Sequence, residues 1–182
     1  MFRDLVTDNG ILRGRCEGIG IIDLDTLRRY GATGPCLRGS GQPFDVRRSE
    51  PYSIYDRFDY RIPTENGCDA MARYFVRLSE IDESLSIVEQ ALDSIPEGPI
   101  QGKGPRKLRP PKGEACFAVE GARGKIVVMV VSDGGPMPYR VKLRAPGFSN
   151  LSLFAELAQG TLLSDAVSIL GSLDLVIPEI DR

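Results

Sequence analysis

The chain is predicted to be an α+β fold, with a long central helix, a small antiparallel sheet and short C-terminal helices. Three observations predict it. Apolar residues recur at threes and fours from Asp69 to about Ile95 with no proline between them. Three short runs between Ala115 and Ala145 are apolar or alternating and are separated by glycine-containing turns. Two shorter helical patterns then cover residues 151–158 and 161–170.

Residues 1–66 read as a loop-rich entry region. Residues 3–9 resemble the last turns of a helix that Gly10 stops, so the start looks truncated. Residues 16–23 offer a short strand or extended segment, and their Gly18-x-Gly20 lacks the third glycine and following helix of a dinucleotide site. Asp23 or Asp25 can cap a short helix through Tyr30, with Gly31 as its left-handed stop. Residues 31–48 hold four glycines and two prolines in 18 residues, which no regular element tolerates, and they contain no phosphate-cradling G-x-x-x-x-G-K-[ST]. Two readings of this loop stand. It is a surface loop with solvated arginines, or Arg38, framed by Gly39 and Gly41, reaches another backbone or a buried carboxylate with its planar fork. Residues 50–63 read as a turn followed by a strand, with Phe58, Tyr60 and Ile62 alternating; Asp56 and Asp59 cancel the neighbouring arginines, so packing is favoured over base stacking.

The helix within residues 67–96 is about 40 Å long at 1.5 Å per residue. Its apolar face, Met71 through Ile95, is expected to meet the core, leaving Arg73, Arg77, Glu80, Glu83 and Gln90 opposite. Residues 97–113 form a basic Pro/Gly connection carrying Lys103, Arg106, Lys107, Arg109 and Lys112, read as solvated rather than as a nucleic-acid or lipid contact. Residues 114–146 form the antiparallel meander and residues 147–182 the final helices and tail. In the tail, Leu173, Leu175, Val176, Ile177 and Ile180 need a dry environment, yet Asp174, Glu179, Asp181 and Arg182 accompany them. Either a docked strand or coil sends these charges to the surface, or they line something.

Composition narrows the function classes. The chain has 182 residues, 42% hydrophobic and 26% charged, with net charge -2. A folded domain of this size buries roughly 70% of its surface, and such a charge balance favours no nucleic acid. No apolar run approaches the ~20 residues needed to span a bilayer, and the charged Met1–Asp4 start lacks a leader's apolar stretch. A cytosolic location, or one peripheral to a membrane, is expected. Cys16, Cys36, Cys68 and Cys116 lie at least twenty residues apart, which argues against a metal knuckle and for free thiols. The chain contains no histidine, which removes the commonest general base and weighs against a self-contained enzyme.

One stretch carries a specific resemblance. Gly34-Pro-Cys-Leu-Arg-Gly-Ser-Gly-Gln-Pro-Phe-Asp-Val-Arg47 resembles the D-type subunit family of NADH-quinone oxidoreductase, respiratory complex I. Pro51-Tyr52 with Tyr55-Asp56, Arg73-Tyr74 after Asp69, Pro110-Pro-Lys-Gly-Glu114, Val131-Ser-Asp-Gly134, Pro138-Tyr-Arg140 with Ala145-Pro-Gly-Phe148, and Ile169 through Arg182 match it in the same order. The resemblance covers the whole chain but only about half of the family's length, the C-terminal half. It implies a hydrogenase-large-subunit-like C-terminal portion, because the family is similar to nickel-iron hydrogenases. The C-terminal cysteine pair of those enzymes would fall at Val176 and Glu179; neither is a thiolate, so no metal is expected here.

The resemblance further implies a peripheral-arm subunit on the cytoplasmic side of the inner (plasma) membrane. Its partners would be other complex I subunits, above all the N-terminal half of the D-type subunit itself and the subunit carrying the terminal iron-sulfur cluster. Quinone and NADH would be substrates of the complex, with no cofactor bound by this chain alone. Leu173, Asp174, Val176 and Glu179 are then expected beside the quinone cavity, and Arg38 and Asp45 as organisers of the loop. Gln159-Gly160-Thr161 departs from the family, many members of which carry a histidine near this point. The alternative is a structural or assembly module, or a split-gene product, without redox activity alone.

Overall fold

The computed structural model describes residues 3–102, 104 and 109–181. Lys103, Arg106 and Lys107 of the basic connection, and Met1, Phe2 and Arg182, lie outside the described residues. In order, a π-helical turn (Arg3–Thr7) precedes α1 (Gly10–Cys16), α2 (Leu24–Arg29), α3 (Pro35–Arg38), α4 (Val46–Ser49) and a 3-10 turn (Tyr55–Arg57). The long α5 (Ala70–Asp93) follows, then β1 (Gly113–Gly121), β2 (Gly124–Ser132) and β3 (Arg140–Arg144), and finally α6 (Pro146–Ser152), α7 (Phe154–Leu157), α8 (Leu163–Leu173) and α9 (Ile177–Ile180). The α+β expectation holds.

The sheet is the expected meander in order β1-β2-β3, antiparallel throughout, with Phe117 opposite Val128 and Val128 opposite Leu143. Asp69 caps α5 by accepting the Ala72 N–H at 2.7 Å, and Asp23 caps α2 by accepting the Thr26 N–H at 2.9 Å. Gly31, at φ 65°, supplies the left-handed stop after α2. The main core joins Leu27, Ile22 and Leu37 of the entry region to Leu153, Ile169 and Leu173 of the C-terminal helices. Each such side chain contributes about 1.5–3 kcal/mol on burial. A second cluster sets Phe58 and Tyr60 against Ile87 of α5.

Several expectations change. Gly10 does not stop a helix; it begins α1, because the Asn9 side-chain oxygen accepts the Ile11 and Leu12 N–H groups and so makes Asn9 the cap. Residues 17–20 are turns, with Gly18 and Gly20 left-handed at φ 71° and 63°, and residues 21–23 join no sheet, with Asp23 extended, so of the strand or extended segment expected over 16–23 no strand forms. Residues 50–63 form no strand either. The N–H groups of Asp59 and Arg61 donate to the side chains of Gln90 and Glu83 on α5, each at 2.9 Å, so the segment pairs with a helix surface instead of a sheet. The tail ends in the short α9, not in a strand or coil.

The largest correction concerns α5. Its buried residues are Ala70, Met71, Ala72, Arg73, Val76 and Ile87, most of them in its N-terminal turns. Ile81, Leu85, Val88 and Leu92 of the apolar stripe are each more than half exposed. Arg73, expected on the solvent face, is 1% exposed. The apolar periodicity is real, but among the described residues nothing covers Ile81, Leu85, Val88 and Leu92.

Candidate functional site

The glycine-rich loop builds one wall of a groove. Gly34 adopts φ 73° where the backbone of Arg123 and Gly124 passes too close for any Cβ, so the loop locks against the β1–β2 turn. The Lys125 N–H donates to Thr33 Oγ1 at 3.1 Å and completes the clamp. Pro35 then starts α3 with its fixed φ, and the short helix aims Arg38 inward.

Arg38 is buried and joins three elements. Its Nε donates to Glu80 Oε1 on α5 at 2.5 Å, and its Nη1 donates to Glu120 Oε1 on β1 at 2.9 Å and to the Phe44 carbonyl at 2.8 Å. Glu120 Oε2 accepts the Val46 N–H at 3.1 Å. Of the two readings of the loop, the buried carboxylate is therefore the right one. Burial pulls the guanidinium pKa down, but Glu80 and Glu120 together outweigh it and hold it above the usual arginine value. Burial pushes both carboxyls up, against the lowering influence of Arg38.

Asp45 organises the next turn. Its Oδ1 accepts the Arg47 N–H at 2.8 Å and so caps α4, and its carboxylate also grips the Arg47 guanidinium, with Nη2 2.6 Å from Oδ2. Burial disfavours the Arg47 cation, yet the Asp45 bonds and charge raise its pKa overall. Arg47 lies over the rings of Tyr55 and Tyr60 at 5.6 and 5.1 Å from their centroids.

The four tail residues have different surroundings. Leu173 is sealed in the main core. Asp174 adopts a left-handed conformation (φ 53°) that ends α8; its Oδ1 accepts from Arg123 Nη2 at 3.1 Å, and Arg77 Nε stands 3.9 Å from its Oδ2. Val176 is half-buried at the entry to α9. Glu179 Oε1 accepts the Gly147 N–H at 3.0 Å, where α6 begins.

Arg38, Arg77, Glu80, Glu120 and Asp174 face a groove of about 530 Å³ whose remaining wall includes Ile81, Leu85 and Val88. A neighbouring cavity of about 420 Å³ shares Arg77 and Asp174 and is lined further by Leu12, Cys16, Tyr74, Ser168 and Ser172. The groove is thus part apolar and part charged. Its ion pairs link the loop, the helix, the sheet and the tail. Sequence reasoning missed Glu80, Glu120, Arg77 and Arg123. One signal was available: Glu120 ends an otherwise apolar strand run, where a charge requires a partner.

Arg73 was also missed. Its guanidinium is buried and, among the described residues, has no carboxylate partner. It donates to Ser172 Oγ at 2.9 and 3.0 Å, to the Cys68 carbonyl at 3.2 Å and to the Gly20 carbonyl at 3.0 Å. Burial lowers its pKa. Val176 has no donor atom for a metal, and Glu179 Oε1 accepts from backbone. Among the described residues, no cluster of three His, Cys, Asp or Glu side chains is arranged to hold a metal ion.

Comparison with known proteins agrees with this architecture. An NADH-quinone oxidoreductase D-type subunit from Opitutus terrae is 59% identical over 100% of this chain and 46% of its own length. The corresponding NADH-quinone oxidoreductase subunit of Desulfotalea psychrophila is 53% identical over 100% of this chain and 49% of its own. The chain therefore spans about half the length of the curated relatives it matches. Among solved structures, a component of the membrane-bound sulfane sulfur reductase, an archaeal respiratory membrane complex, superimposes with a TM-score of 0.92 at 40% identity, covering 100% of this chain and 50% of that one. The family model described as "Respiratory-chain NADH dehydrogenase, 49 Kd subunit" matches residues 1–110 and 105–182, and the chain belongs to that family.

Proposed function

We propose that this chain is the C-terminal portion of a D-type subunit that forms part of the quinone-cavity wall in a membrane-bound NADH-quinone oxidoreductase. The observation that carries this reading is the uncovered apolar stripe of α5 beside the charged groove, in a chain about half the length of its relatives. Ile81, Leu85, Val88 and Leu92 need a partner surface, and the N-terminal half of the same subunit is the one their family membership offers. Electrons would come from NADH through an iron-sulfur cluster on an adjoining subunit. This chain positions the acceptor and shapes its electrostatic surroundings, with Asp174 on the groove wall, Val176 and Glu179 following it in the tail toward the acceptor, and Leu173 holding the tail in place from the core. Among the described residues, no helix is long and apolar enough to cross a membrane. The subunit sits peripherally, on the cytoplasmic side of the inner membrane. A photoreactive quinone analogue applied to the assembled complex tests this: labelling within residues 171–181, competed by native quinone, is the expected result, and its absence sinks the reading.

A second acceptor has its own support, because the 40% identical structural neighbour belongs to a sulfane sulfur reductase. Higher identity to the quinone-linked relatives favours quinone. Parallel assays with quinone and polysulfide as sole acceptors separate the two.

A further inference from the structure

We propose that Glu80 is a one-proton binding site on the groove wall, with Arg38 and Glu120 as the fixed ion pair behind it. The geometry is one guanidinium between two carboxylates, at 2.5 Å from Glu80 and 2.9 Å from Glu120. With both carboxylates ionised, the buried triad carries one excess negative charge, which is costly where water is excluded. A proton on one carboxylate removes it.

The hydrogen bonds decide which carboxylate takes the proton. Each Glu120 oxygen already accepts from a donor, Oε1 from Arg38 and Oε2 from the Val46 N–H. That arrangement favours the ionised form of Glu120 and works against the upward push of its burial. Glu80 accepts from Arg38 through Oε1, and among the described residues no donor reaches its Oε2. Its side chain keeps 19% exposure against 4% for Glu120, so Glu80 is also the one that exchanges protons with the groove.

The other charges facing the triad come from every element around it. From α4, Arg47 is neutralised by Asp45. From the β1–β2 turn, Arg123 pairs with Asp174, which follows α8. From α5 itself, Arg77 lies one turn from Glu80 and only loosely meets Asp174 at 3.9 Å. Burial raises the Glu80 pKa, while Arg38, Arg77 and Arg47 draw it back. These opposing influences make the proton exchangeable rather than permanent. The inference goes beyond the proposed function and holds whatever the electron acceptor is.

Infrared titration of the full protein with its native partners tests it, comparing wild type with Glu80→Gln and Glu120→Gln between about pH 5 and 9. The wild type is expected to show a protonated-carboxyl C=O band that persists above the pH at which an ordinary glutamate loses its proton and that is lost in Glu80→Gln. In Glu120→Gln, Arg38 pairs with Glu80 alone, so the same band titrates at lower pH; this gives an independent reading should Glu80→Gln fail to fold. A wild-type spectrum that superimposes on Glu80→Gln at every pH, a band that survives in Glu80→Gln, or a Glu120→Gln titration that does not move down would overturn the proposal.

Discussion

Arg38 Nη1 lies 2.9 Å from Glu120 Oε1, a contact made across 82 residues of chain between two almost fully buried side chains. This pair, with Glu80, fastens the glycine-rich loop to both the long helix and the sheet. Arg38→Met is isosteric enough to fill the space but leaves two buried carboxylates without their cation. A loss of about 3–5 kcal/mol in unfolding free energy is expected near neutral pH, read from denaturant unfolding, and a cost under ~1 kcal/mol would show that the pair is not structurally important.

Stability should depend on pH with a definite sign. Burial raises the folded pKa of Glu80 and Glu120 above the ordinary glutamate value of 4.5. Between that value and the folded pKa, the native state keeps a proton that the unfolded chain has released. Unfolding free energy therefore falls as pH rises through this window, and the full stabilisation is present below it. Glu80→Gln should flatten the slope. A stability that instead rises across the same window would mean that pairing with Arg38 wins over burial.

Ser172 is the only side chain that accepts from Arg73 among the described residues, and it does so twice. Ser172→Ala takes that acceptor from a buried cation that meets no carboxylate among the described residues. An expected cost of about 1–3 kcal/mol follows from leaving buried donors unmet, measurable as a lowered thermal midpoint. A neutral substitution would imply that Arg73 finds another acceptor.

Gly34→Ala combines a left-handed backbone with a collision against Arg123 and Gly124. At least about 2 kcal/mol of destabilisation is expected. Limited proteolysis should show earlier cleavage in residues 31–48 than in wild type.

The long helix and the meander were legible because their periodicities come from local geometry. The α2 cap, offered as Asp23 or Asp25 and found at Asp23, was legible for the same reason. The direction in which α5 faces was not, because Ile81, Leu85, Val88 and Leu92 share the helical period of a core stripe yet stay more than half exposed, and periodicity cannot tell a covered stripe from an uncovered one. Residues 58–62 alternate as a strand does, yet their N–H groups go to Glu83 and Gln90 side chains, a tertiary choice with no local signature. Arg38 and Asp45 stood out through the unusual loop around them. Glu80, Glu120 and Arg123 did not, because their roles exist only once the helix, the strand and the turn meet at the groove.

The most direct test of the account is the quinone kinetics of the assembled complex carrying Val176→Phe. Extra volume in a packed wall is felt at the level of one methylene, so a several-fold rise in quinone KM or in inhibitor concentration for half-inhibition is expected, with electron transfer from NADH to an artificial soluble acceptor unchanged. Unaltered quinone KM and inhibitor response in a fully assembled complex would contradict the placement of the tail beside the quinone.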